Sequence, residues 1–121
     1  MTQFQINKAY GALMQLSGMK LPVKKAYEIY SLVKAVDSQY QFAISEEQKI
    51  VEKYKGTVNS DGSISFESAE SYGSFQEDIL ELHNLEADVE IKPVVLMESD
   101  MKDQTISPAD IFSLEGFVSF E

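Results

Sequence analysis

A chain of 121 residues with 44% hydrophobic content, six Tyr, seven Phe and no Cys is sized for one domain, residues 1–121, with a modest core. The missing cysteines exclude disulfides and thiolate metal sites. No apolar run approaches the roughly 18 residues of a membrane span, and the opening MTQFQINKAY lacks the charged and apolar regions of a signal peptide, so a cytoplasmic, membrane-free protein is expected. All ten basic residues are Lys, and the net charge is −10. Without Arg, whose rigid fork is the usual reader of phosphates and base edges, direct nucleic-acid binding is not expected.

The charge is divided along the chain. Residues 1–55 carry eight Lys against five acids, a balance of +3, and residues 56–121 carry Lys92 and Lys102 against fifteen acids, a balance of −13. The plain consequence is a solvated acidic face. The sharper one is a surface shaped to meet something basic, such as the N-terminal half of a neighbouring subunit or the nucleic-acid groove of another protein.

Taken in order, Asn7 is the predicted cap of a first short helix. Ile6, Tyr10, Leu13 and Met14 recur at helical spacing, and Gly18 stops it. Pro22 suits the first turn of a second helix, after which no Gly or Pro interrupts the pattern as far as Lys55. A 4,3 step through it meets Ile29, Val33, Val36, Tyr40, Ala43, Glu47, Ile50 and Tyr54, with only Glu47 polar. Such a helix runs roughly 50 Å, and a first helix of about three turns covers a fraction of it. The C-terminal half or another copy must bury the rest. The expectation is a seam between copies, a dimer first of all, through Ile29, Val33, Val36, Tyr40, Ala43, Ile50 and Tyr54. Ser45, followed by Glu46 and Glu47, offers a point where the helix could instead restart.

KGTVNSDGSISFES invites comparison with a calcium loop. With Gly62 at the sixth position, the first and twelfth fall on Thr57 and Ser68 instead of Asp and Glu, so a hairpin turn at Asp61-Gly62 is expected instead. Ser74 and Glu77 form a predicted capping box for a third helix with Phe75, Ile79 and Leu82 on its apolar face, ending near Leu85. Val89 and Ile91 alternate as extended chain until Pro93 interrupts at an edge or bulge. Ser107, Pro108 and Asp110 open a short helix with Ile111, Phe112 and Leu114, Gly116 turns it, and FVSF alternates as a terminal strand expected beside residues 89–91. The fold class is α+β: an N-terminal helical hairpin with one long helix, then a small, mostly antiparallel sheet with two short helices.

Catalytic patterns are missing. His83 is the only histidine, has no Glu three residues before it, and reads as a helix-surface residue. There is no G-x-S-x-G elbow, no G-x-G-x-x-G and no Walker loop. Carboxylate pairs such as Glu77/Glu81 and Glu86/Glu90 arise by chance among twenty acids. No enzyme activity, cofactor or metal is therefore expected. Tyr10, Tyr27, Tyr30, Tyr40 and Tyr54 all fall on the first two helices, either packing into the core with their hydroxyls at the surface or forming an interface.

The succession of a short helix, LPVKKAYEIY opening a long one, KYKG with a D-G turn, the acidic ELHNLEADVEI and the closing SPADIFSLEGFV resembles small proteins of tailed bacteriophages and prophages. The resemblance spans most of the chain and brings no functional residues with it. It implies a phage context: an accessory protein in the host cytoplasm that inhibits or sequesters a host component, such as a defence system, or else a structural or assembly protein of the particle.

Overall fold

A computed structural model describes all 121 residues and confirms the α+β class. Helix α1 (Gln3–Ser17) and helix α2 (Val23–Lys53) form the N-terminal hairpin. The short strands β1 (Thr57–Val58) and β2 (Ile64–Ser65) lead to α3 (Ala69–His83). Then come β3 (Val94–Leu96), the single turn α4 (Glu98–Met101), α5 (Pro108–Ser113) and β4 (Val118–Phe120). No helix is long and apolar enough to cross a membrane.

The helix boundaries follow from capping. Helix α1 starts earlier than Asn7, because Thr2 and Gln5 form a reciprocal capping box: the Gln5 N–H donates to Thr2 Oγ1 and the Thr2 N–H to Gln5 Oε1. Similarly α3 is capped by Ser68, whose Oγ accepts from the Ser71 N–H, so Ser74 lies inside the helix instead of opening it. The long helix is continuous for 31 residues with no restart at Ser45. Ser107 caps α5 as expected, accepting from the Asp110 N–H, with Pro108 in the first turn.

Two separate strand pairs replace one sheet. β1 and β2 are antiparallel around the turn at Asp61-Gly62, where Gly62 takes φ +87° and the Ser63 N–H and hydroxyl both donate to Asp61. The terminal strand does enter the fold, but beside β3 and not beside residues 89–91. It runs parallel to β3, in the register Val94 with Val118, Val95 with Ser119 and Leu96 with Phe120. Pro93 sits just before β3, where its missing N–H breaks no rung. A parallel pair needs a long crossover, and residues 97–117 with α4 and α5 supply it.

The core explains why α1 and β3 face the same side of α2. Ile6, Ala9, Ala12, Leu13 and Leu16 of α1 meet Ile29, Leu32 and Val36 of α2. Val94, Leu96, Met101, Leu114, Phe117 and Val118 close the cluster from the C-terminal third. Gln3 is the one buried polar residue; its amide donates to Asn7 Oδ1 at 3.1 Å and to the Gln39 carbonyl at 2.9 Å, which satisfies it.

Candidate functional site

The residues expected in a seam between copies are filled from within the chain. Ile29, Val36 and Ala43 are buried, Val33 packs against the core, and Ile50 is half-buried. Tyr40 stacks on Tyr10 with ring centroids 3.7 Å apart, and Tyr54 donates its hydroxyl to Asp78 at 2.8 Å. The stripe is covered from within the chain, by α1 and β3 around the first half of α2 and by α3 toward its other end. The stripe therefore gives no reason of its own for a second copy.

The tyrosines divide in a way their shared helices do not suggest. Tyr10 donates to Asp37 at 2.7 Å, and that hydrogen bond, more than burial, raises the pKa of the phenol. Tyr27 and Tyr30, by contrast, are 67% and 56% exposed, beside Val23 at 87%. These three stand at i, i+4 and i+7, a row on the side of α2 turned away from Ile29, Leu32 and Val36. Lys20, Lys24 and Lys34 lie around this row and make no ion pair, whereas Lys25 is 3.5 Å from Glu28. Next to the row, Tyr27, Ser31, Leu32, Glu90, Lys92 and Pro93 help to line a cleft of about 530 Å³ between α2 and the chain entering β3.

A second exposed apolar surface lies near the other end of α2, on α3. Phe75, Ile79 and Leu82 turn inward as the sequence suggests, with Leu82 buried. Tyr72, Gln76, Leu80 and His83 follow at i, i+4, i+8 and i+11 on the adjacent face, with Leu80 61% and Tyr72 47% exposed. Together with Phe75 and Ile79 they line an open recess of about 420 Å³. His83, read from the sequence as a helix-surface residue, is half-buried where three helices meet. Its Nε2 is 3.4 Å from Glu47 of α2, and its ring centroid is 5.7 Å from that of Phe4 on α1, itself half exposed. The apolar surface thus continues from Tyr72 across to Phe4.

Charge sets this surface apart. Residues 56–91 hold nine acids and no Lys. Glu70, Glu77 and Glu81 are exposed on the same helix, on the side beyond Leu80, with no ion pair in the chain. Of the acids on α3 only Asp78 is engaged, by Tyr54 and by Lys53 at 3.1 Å, and these hydrogen bonds, the tyrosine's first, hold its carboxyl below the ordinary value. No group of three or more His, Cys, Asp or Glu is placed to hold a metal ion.

No family model, curated protein or solved structure matches this chain. The sequence did carry a sign of the α3 surface. Tyr72 and Leu80 lie outside the row formed by Phe75, Ile79 and Leu82, so this helix has more apolar width than one buried face uses.

Proposed function

We propose that this chain is a non-enzymatic accessory protein of a tailed phage or prophage, acting in the host cytoplasm by binding and sequestering or inhibiting a host protein. The observation that carries the reading is α3: a recess lined by Tyr72, Leu80 and His83, on a helix whose exposed Glu70, Glu77 and Glu81 have no partner within the chain. Exposed Tyr and Leu around a concavity supply contact area, and unpaired acids give selectivity and steer association. The complementary partner is a basic, amphipathic protein surface.

The test is affinity purification from infected host cells with the parent and with Leu80→Glu, followed by reconstitution of any captured pair from purified components. The expected result is one host protein, held in fixed stoichiometry by the parent and lost with Leu80→Glu. A partner held equally by both proteins would remove α3 from the account. A second reading, an assembly protein of the particle, draws support from the pair of oppositely charged apolar faces on α2 and α3. Recovery of the protein in purified particles at many copies would favour it.

A further inference from the structure

Two exposed apolar faces on one small chain, each with unspent charge of opposite sign, fit each other better than either fits water. We infer that a second copy of this chain docks by the α2 row Val23, Tyr27 and Tyr30 onto the α3 recess of the first. This rests on the reading of α3 as a protein-docking face and names one occupant of it.

Shape supports the match. Val23, Tyr27 and Tyr30 form a ridge at helical spacing, and the α3 recess of about 420 Å³ is a shallow groove between side chains of similar spacing. Charge supports it as well. Lys20, Lys24 and Lys34 around the ridge and Glu70, Glu77 and Glu81 on the helix that carries the groove are all free of ion pairs in the isolated chain. Bringing them together removes like-charge crowding from the acidic half and brings Lys to it.

Geometry then decides the kind of assembly. Glu47, which meets His83 beside the groove, lies twenty residues along α2 from Tyr27, about 30 Å at 1.5 Å per residue. A single copy cannot bring its own ridge to its own groove across that distance. The contact therefore joins different patches on the two copies, and it closes as a two-fold dimer where both ridge–groove contacts form at once and otherwise continues head to tail. The buried row expected to form a seam takes no part. A host protein bound at α3 competes with this contact.

The experiment is light scattering at tens of micromolar in low salt, with the parent, K24E/K34E, E77K/E81K and an equimolar mixture of the two variants. All four substitutions are at exposed positions, and circular dichroism checks that each variant is folded. The parent is expected well above the 13.6 kDa of one chain, falling toward it in high salt. Each variant alone is expected near 13.6 kDa, and the mixture is expected to regain the parent's mass, because each reversed face then meets its complement. A parent at 13.6 kDa throughout, or variants that associate as the parent does, would overturn the inference. So would a mixture that stays monomeric. Titration with a Leu/Lys amphipathic peptide separates this from the reading beneath it. Peptide binding that Leu80→Glu abolishes keeps α3 as a docking face even if the parent never self-associates; no binding and no self-association would remove both.

Discussion

The two ends of α2 are built on different physics. Around its first half, α1, β3, α4 and the last turn before β4 enclose fourteen buried residues, and stability there comes from removing apolar surface from water. Beyond Ala43 the character changes: residues 44–81 contain no fully buried side chain. That end is held by Phe66 against Phe75 and Tyr72, by Tyr54 and Lys53 on Asp78, and by Glu47 beside His83. Half-exposed aromatic and polar contacts stabilise less per residue than a closed core does, so this end opens at lower cost than the whole chain unfolds. The difference places the acidic α3 face on the softer end, where a bound partner can order it.

The largest effect is expected from Phe117→Ala. Phe117 is among the largest fully buried side chains, and truncating a buried Phe costs about 3–5 kcal/mol, a large part of a small domain's stability of roughly 5–15 kcal/mol. Urea denaturation followed by circular dichroism should show the loss across all helices together. A loss under about 1 kcal/mol would mean that the turn before β4 is not part of the main core.

A smaller and more local effect is expected at Gly56. A methyl group there would come within 2.8 Å of Ile64 Cγ2, 2.9 Å of Phe66 Cε1 and 3.1 Å of Val51 Cγ1. Gly56→Ala therefore overpacks the joint between α2, the hairpin and Phe66, at about 1–3 kcal/mol. If the two ends differ as described, protease sites in residues 57–83 become accessible while α1 stays protected. Equal loss of protection in α1 would show that the ends unfold as one unit.

The smallest effect concerns pH. Asp78 is held below its ordinary value of 3.8, chiefly by the Tyr54 hydroxyl and then by Lys53, so its contribution is present above that value and is lost as pH falls through the lowered one. Lys53 is raised above its ordinary 10.5, chiefly by Asp78, so its contribution is present below 10.5 and is lost as pH rises through the raised value. The soft end is accordingly firmest between the ordinary values of the two groups, 3.8 and 10.5. Asp78→Asn should flatten both flanks of the thermal midpoint against pH. A profile identical to the parent's would mean that the Tyr54–Lys53–Asp78 group contributes nothing to the fold.

What the sequence made legible follows the same division. The unbroken run from Val23 to Lys53, the Ser107-Pro108 start of α5 and the Asp61-Gly62 turn are local chemistry, and they stand. Thr2 and Gln5 fit the capping-box pattern, but Asn7 is a competing cap candidate in the same stretch. Strand pairing was harder, since residues 89–91 and 94–96 both offer β-branched or aliphatic side chains, and only the crossover decides which one β4 reaches and in which direction. The functional surfaces were hardest to read. The row Ile29, Val33, Val36 and Tyr40 and the row Val23, Tyr27 and Tyr30 share one helix and one composition, and nothing local says which row the rest of the chain covers.

Hydrogen exchange of the native protein, followed segment by segment by mass spectrometry, tests the contrast between the two ends most directly. The account predicts that amides in α3 and in α2 beyond Ala43 exchange through partial opening, well before those of α1 and residues 29–36, which exchange only with global unfolding. Equal protection along the whole of α2 and α3 would contradict it.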